Sequence, residues 1–364
     1  PFVPVNLLFM AKQDTYKVIY EPNVMVPMRD GTRLATDIFR PDAPGRFPVL
    51  VNRGPYGKDQ YISNPDHSTW FFPVHGYVIL SQDCRARFGS EGDYYNPVFQ
   101  ESLDGYDTVE WAAKQDWSNG RVGATGQSYL GATQYTLATN NPLPPHLQTM
   151  APFSASSDFH QSWVYHTGGA MEWGWMVPYA IHKGRNTLER IGREDLLPQM
   201  DDYVLPPGNF AQPLKEDWYN HLPLRDWIER LKEAAPYFSE YFDEEHDGPY
   251  WWRANLLKNL SGIKIPMFHV SSWYDIFLEG ALNSYKGISH GGGNSLARKN
   301  QKLLIGPWAH VRPFTQPHTG GAGDIDFGDN AAIELHEHLL RWFDYWLKDT
   351  DTGIMDEPPV SLFI

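Results

Sequence analysis

Residues 121–131 read Arg121-Val122-Gly123-Ala124-Thr125-Gly126-Gln127-Ser128-Tyr129-Leu130-Gly131. The first five suit a short buried strand, and residues 129–139 suit the helix that follows it. Between them a serine occupies a sharp strand-to-helix turn. Such a turn needs small neighbours, because its strained backbone passes close to adjacent elements. It lifts the hydroxyl above the sheet and leaves the next backbone N–H, that of Tyr129, facing any oxyanion formed at the helix N-terminus. The general pattern is G-x-S-x-G. Here the second glycine comes one place late, at Gly131, with Leu130 where it is expected. Taken alone, the stretch could also be a serine that merely caps a helix.

Upstream, strand-like runs at 16–20, 34–39, 48–52 and 77–82 precede a helical pattern at 103–114, and 147–152 reads as a further strand. Strands alternating with helices imply an α/β fold with a sheet covered on both faces. From about residue 153 the texture changes. Residues 155–262 carry seven tryptophans, Trp163 and Trp173 among them, with helical stretches such as 224–235 and a Pro206-Pro207 joint. Strand rhythm resumes at 265–271 and 302–306, and 331–347 reads as a long helix. The expected organisation is a core over 16–154 and 265–352, a helical cap over 155–264, and the start of a C-terminal β domain at 353–364. A separate helical domain is the competing reading of 155–264. There is no internal repeat, and Gly291-Gly292-Gly293 reads as a loop.

An oxygen nucleophile needs a base, usually histidine, whose tautomer a carboxylate fixes. In an α/β-hydrolase fold these follow the serine in the order acid, then histidine, on loops past strand C-termini. Asp275 follows the run 265–271, and His310 follows 302–306. Asp275 could instead cap a helix starting near Ile276, and His310 could be a surface histidine. His269 lies within a strand and is expected to pack. His336 and His338, beside Glu334 and Glu337, stand two apart on a helix and so point to different faces; a solvated charged face is expected rather than a metal site.

Composition limits the alternatives. With 41% hydrophobic and 20% charged residues, the 364-residue chain fits a folded protein rather than a disordered one. A net charge of −14 makes nucleic acid a poor partner. The single Cys84 rules out an internal disulfide and a thiolate zinc cage. No cofactor or metal is called for, and no apolar run reaches membrane-spanning length. The opening Pro1-Phe2-Val3-Pro4-Val5-Asn6-Leu7-Leu8-Phe9-Met10 lacks a basic start and a small-residue cleavage site, and reads as a leader or trimmed edge. Compartment stays open between cytoplasmic and periplasmic or secreted, and homo-oligomerisation stays open too. Fourteen Trp, 20 Tyr and 19 Phe exceed what a core requires and suggest a wide ring-lined pocket. Its candidate rings are Trp163, Trp173, Trp273 and Trp308.

Several ordered segments resemble the family of cocaine esterase, α-amino acid ester hydrolases, glutaryl acylases and X-prolyl dipeptidyl-peptidases. They are Arg53-Gly54-Pro55-Tyr56-Gly57-Lys58, Gln82-Asp83-Cys84-Arg85-Ala86-Arg87 with Ser90-Glu91-Gly92, and Asp104-Gly105-Tyr106-Asp107 leading to Trp117-Ser118-Asn119-Gly120. The G-x-S-Y-x-G turn, Gly306-Pro307-Trp308-Ala309-His310 and Leu340-Arg341-Trp342-Phe343-Asp344 complete the set. The resemblance implies Ser128 as nucleophile, Asp275 as acid, His310 as base, and an oxyanion hole of the Tyr129 N–H and the Tyr56 hydroxyl. Ala86 departs from the family's usual glycine and puts that loop's geometry in question. Relatives continue past Pro358-Pro359-Val360-Ser361-Leu362-Phe363-Ile364 into a β jelly roll, so the chain reads as a fragment. Relatives acting on α-amino substrates hold an ammonium with carboxylates, for which Asp158, Glu172 and Asp247 are the counterparts to weigh against ordinary surface acids.

The expected activity is therefore cleavage of a small-molecule ester or amide with a bulky acyl group, through an acyl-enzyme. An X-prolyl dipeptidyl-peptidase is the alternative within the family. A non-catalytic binding module on this scaffold and a carbohydrate-active enzyme are the alternatives from other classes; the second explains neither the serine turn nor Gly306–His310.

Overall fold

The computed structural model describes residues 15–62, 68–166, 168–205, 214–310, 321–322 and 325–364. The apolar opening and the Pro206-Pro207 joint lie outside them. Nine strands form one sheet in the order β1-β2-β4-β3-β5-β6-β7-β8-β11. These are β1 (Val18–Pro27), β2 (Arg33–Pro41), β3 (Phe47–Gly54), β4 (Val78–Asp83), β5 (Ser118–Gln127), β6 (Leu147–Phe153), β7 (Met267–Tyr274), β8 (Gln301–Ala309) and β11 (Val360–Leu362). β1 and β2 run antiparallel to their neighbours, and all pairs from β4 onward are parallel. A small ribbon joins β9 (Gly321–Ala322) to β10 (Ile325–Asp326).

Period-two alternation sends side chains to opposite faces of each strand. Val49 and Val51 of β3 join one cluster with Val109, Ala112, Tyr135 and Leu137. The intervening Leu50 joins another with Phe72, Leu339, Trp342 and Phe343. Helices α2 (Glu101–Ala113) and α3 (Tyr129–Leu137) therefore cover one face, and α1 (Ser68–Val74) and α12 (Leu335–Lys348) cover the other. In α12 the buried residues Leu335, Leu339, Trp342, Phe343 and Leu347 recur at helical spacing, which fixes the stripe it presents to the sheet. The helix begins four residues later than the sequence pattern suggests, because Asp329–Ala331 turn as a separate short 3-10 segment.

The inserted segment holds α4 (Trp173–Arg190), α5 (Leu197–Tyr203), α6 (Glu216–Tyr219), α7 (Asp226–Leu231), α8 (Phe238–Asp243) and α9 (Pro249–Trp252). Its aromatic residues share one buried cluster with Cys84, Ala86, Tyr95, Val98 and Tyr129 of the α/β part. Insertion and core thus bury a common apolar interface. After it come α10 (Leu278–Gly291) and α11 (Ser295–Lys299). The glycine run at 291–293 is a helix end rather than a free loop: Gly291 closes α10, and Gly292 N–H bonds back to the Ile288 carbonyl at 2.9 Å.

Val360–Leu362 pairs in parallel with Leu303–Ile305 and extends the main sheet. The β8 edge, with open backbone groups, accepts this extended segment.

Ala86 explains the loop question raised by the sequence. It adopts φ +56°, in the left-handed region. That conformation costs an alanine about 1–2 kcal/mol. Glycine relieves this but loses about 0.5–1 kcal/mol to its freer unfolded chain. Ala86→Gly should therefore stabilise the fold by about 0.5–1 kcal/mol, read as a higher thermal midpoint. A lower midpoint would show that the buried Ala86 methyl contributes more packing than strain.

Candidate active site

The order β4-β3-β5 reverses the direction in which strands are added, and a crevice opens beyond the strand C-termini at such a point. Four chain segments leave the sheet there. Tyr56 follows β3, Ser128 follows β5, Asp275 follows β7 and His310 follows β8.

Ser128 has φ 59° and ψ −124°, a strained conformation for a residue with a side chain. Its N–H bonds the Phe153 carbonyl at 3.0 Å, and its carbonyl accepts from Ala132 N–H at 2.8 Å, so sheet and helix hold the turn from both sides. The displaced glycine now has a reason. A Cβ on Gly131 would lie 2.7 Å from the Ala155 Cβ and about as close as 3.0 Å to the Gly126 carbonyl. Leu130, in the usual glycine place, is accommodated by other glycines: a Cβ on Gly126 would meet it at 2.5 Å, and one on Gly54 at 2.8 Å.

His310 Nε2 lies 2.9 Å from Ser128 Oγ. Its Nδ1 lies 3.1 Å from Asp275 Oδ2 and 3.2 Å from Oδ1. Asp275 is buried, and its Oδ1 also accepts the Phe277 N–H at 2.7 Å. Asp275 does not cap the next helix, whose N-cap is Phe277; its bond to the Phe277 N–H is a local turn that holds the carboxylate still for the imidazole. Gln127 Nε2 donates to the His310 carbonyl and ties the histidine loop to the turn. Phe277 stands edge-on to His310 at 5.2 Å and stacks on Trp163 at 5.0 Å. Neither Gln127 nor Phe277 is singled out by the sequence. The only hint is that Gln127 adjoins Ser128 and Phe277 lies two places past Asp275.

Burial pushes the Tyr56 phenol up to about 12, against hydrogen bonds to the Ser128 and Tyr179 side chains and the Tyr129 backbone N–H. The hydroxyl thus shares one spot with the Ser128 side chain and the helix-terminal N–H. Behind the turn, Tyr129 is fully buried; its hydroxyl donates to Glu101 Oε1 at 3.1 Å and accepts the Val98 N–H at 2.8 Å. Glu101 also pairs with the buried Arg53 at 2.8 Å. The loop carrying Tyr56 is anchored by Asp83, whose Oδ1 accepts the Lys58 N–H at 2.7 Å. Burial pushes the Asp83 carboxyl up to about 6, against bonds from the Lys58 and Gly89 N–H groups.

The four candidate pocket tryptophans separate. Trp163 is buried beside Tyr129 and Phe277, next to the serine. Trp173 packs edge-on to Trp227 inside the insertion. Trp308 does not line the site. It is fully buried in the cluster beneath α12, and its indole N–H donates to the Ala331 carbonyl at 2.6 Å. The end of β8 is irregular: Ser272 pairs with Gly306 but Tyr274 with Ala309, and this extra residue breaks the period-two phase, so Trp308 enters the core although it stands only two places before His310, which follows the strand. Trp273 is largely exposed and donates to the Phe363 carbonyl at 2.8 Å, at the β8–β11 side.

The candidate ammonium-binding acids are occupied locally. Asp158 Oδ1 accepts the His160 and Gln161 N–H groups, each at 3.1 Å. Glu172 pairs with His166, and Asp247 accepts from the Trp252 indole at 2.8 Å. His269 bonds Tyr135 and Gln301 inside the core, and burial lowers its pKa to about 4. His336 corrects the expectation of a solvated face: it stacks on Phe71 at 4.9 Å and bonds Ser68 Oγ at 3.0 Å. Burial also lowers the His338 pKa. Among the described residues no cluster of His, Cys, Asp and Glu could hold a metal, and no helix is long and apolar enough to cross a membrane.

This sheet, with a Ser–His–Asp relay on its strand-end loops, defines the α/β-hydrolase fold class. The sequence profile of the X-Pro dipeptidyl-peptidase (S15) family matches residues 30–312, and the chain belongs to that family. Cocaine esterase of Rhodococcus sp. (strain MB1 Bresler) is 31% identical over 94% of this chain and 57% of its own length. The solved α-amino acid ester hydrolase is 24% identical with a TM-score of 0.73, over 100% of this chain and 60% of that one. A CocE/NonD family hydrolase from Staphylococcus aureus is 23% identical with a TM-score of 0.64, over 95% and 53%. The chain therefore spans 53–60% of the length of these relatives.

Proposed function

We propose that this chain is a serine hydrolase that cleaves an ester, or a related amide, of a bulky and partly apolar acyl group. The observation that carries the reading is the unbroken relay from Ser128 Oγ through His310 to the buried Asp275, with 2.9 Å and 3.1 Å contacts.

In the first step Ser128 Oγ attacks the substrate carbonyl while His310 Nε2 takes its proton. Asp275 holds Nδ1–H and stabilises the imidazolium that forms. The carbonyl oxygen becomes an oxyanion beside the Tyr129 N–H and the Tyr56 hydroxyl, two donors fixed before the substrate arrives. His310 then protonates the departing alcohol or amine. Water, activated by the same histidine, releases the acid in the second step.

The ester reading is favoured over a dipeptidyl-peptidase. A peptidase that takes a free N-terminus holds the ammonium with a carboxylate aimed at it rather than at its own loop. Asp158, Glu172 and Asp247 are each engaged with their own neighbours.

A fluorophosphonate probe followed by intact-mass analysis tests the reading. One adduct per chain is expected, mapped to Ser128 and absent from Ser128→Ala. No adduct would favour a non-catalytic scaffold, and an adduct elsewhere would move the nucleophile. A panel of aryl esters, amino-acid esters and proline dipeptides should then show aryl esters cleaved fastest.

A further inference from the structure

Helix α4 of the insertion brings one lysine into the protein interior. Lys183 is only 3% exposed. Its amine lies 3.8 Å from the centroid of the Tyr56 ring and 5.6 Å from that of Tyr179. No carboxylate pairs with it among the described residues. Its backbone carbonyl accepts from Arg87 Nη2 at 2.9 Å, and Arg87 Nη1 reaches Thr187 Oγ1 at 3.2 Å. These bonds clamp α4 to the loop after β4, so the amine is placed by a well-tethered helix.

A buried, unpaired amine is costly. Burial first, and the Arg87 charge second, push the Lys183 pKa well down. Packing alone would be served as well by methionine, which has similar length and no desolvation cost. The lysine head instead rests on the ring whose hydroxyl meets Ser128. That ring needs support. The bond from Lys58 N–H to Asp83 and the φ of +92° at Gly57 fix where the Tyr56 backbone sits. They leave its two side-chain torsions to the surrounding contacts. Tyr129 meets the ring at a T-shaped 6.3 Å, and Lys183 covers its face.

We propose that Lys183 is a positioning residue for the oxyanion hole: its N–H groups, seated on the Tyr56 ring, hold the phenol so that its hydroxyl stays aimed beside Ser128. The insertion then supplies part of the geometry of acyl transfer as well as the walls of the crevice. The inference rests on the reading of Tyr56 as an oxyanion donor.

The test is a double-mutant cycle of Lys183→Met and Tyr56→Phe with 4-nitrophenyl butyrate. Rates are taken per site titrated by fluorophosphonate, so that only folded, competent protein is counted. Lys183→Met should lower kcat roughly 2- to 5-fold, the span of an N–H contact with a ring face. KM should stay within about twofold, because substrate binding does not use this contact. In the Tyr56→Phe background the same change should cost less than about twofold, since no hydroxyl remains to be aimed. An equal cost in both backgrounds would make Lys183 a packing residue and overturn the proposal, as would an unchanged kcat in the single variant. If Tyr56→Phe alone keeps the parental kcat, the oxyanion reading fails first and visibly, and the proposal falls with it. Lys183→Leu serves the same cycle should the methionine variant yield no titratable sites.

Discussion

Ser128→Ala should lower kcat by roughly 10⁴-fold or more, with the remaining rate supplied by binding and the oxyanion donors alone. Among the described residues, Ser128 Oγ is the one hydroxyl bonded to His310 Nε2, at 2.9 Å. Alanine keeps the Ser128 backbone bonds to Phe153 and Ala132, and the serine side chain makes no capping bond that its loss would forfeit. The thermal midpoint should therefore move little while activity collapses. His310→Ala should cost a comparable factor, and the double variant little more, because the two groups act as one unit. Steady-state kinetics on an aryl ester decides the matter. A Ser128→Ala protein retaining activity within tenfold would remove the triad reading entirely.

The second large effect concerns Tyr56. Tyr56→Phe should cost roughly 10²–10³-fold in kcat, the usual consequence of deleting one oxyanion donor. The hydroxyl is hydrogen-bonded with the Ser128 side chain and the Tyr129 N–H, so it stands where negative charge develops. A donor that bonds the oxyanion better than the ground-state carbonyl acts on the chemical step. KM should change little, since the ring and its contacts with Lys183 and Tyr129 persist. Near-normal kcat in this variant would place the second donor elsewhere, and the triad would stand unaffected.

Much of the fold is legible in the chain because its signals are local. Each interior strand is a short apolar run, and α12 carries its buried stripe at helical spacing. The nucleophile turn is legible for the same reason: Gly126, Ser128 and Gly131 are neighbours in sequence and answer to one strained turn. Asp275 and His310 are found through a rule of topology, since each follows a strand end on the same side of the sheet.

Other features have no local signal. Trp308 and His310 stand two residues apart, yet one is core beneath α12 and the other faces the serine. Regular alternation would put residues two apart on one face; the register slip at the end of β8 separates them, and no local pattern announces it. The edge strand at Val360–Leu362 is likewise defined only by its pairing with β8.

By itself, then, the sequence determined the α/β plan, the strained serine turn, and the strand-end positions of Ser128, Asp275 and His310, since short-range sterics and strand-end topology govern all of these. Tertiary structure alone decided that Leu130 fits because Gly54 and Gly126 make room for it, that Gln127 and Phe277 flank the base, and that Lys183 covers Tyr56. The physical reason is sequence distance. Lys183 lies 127 positions (183 − 56) from the ring it touches, and no local propensity or periodicity spans such a gap; only the packing of α4 against the strand ends brings the two together.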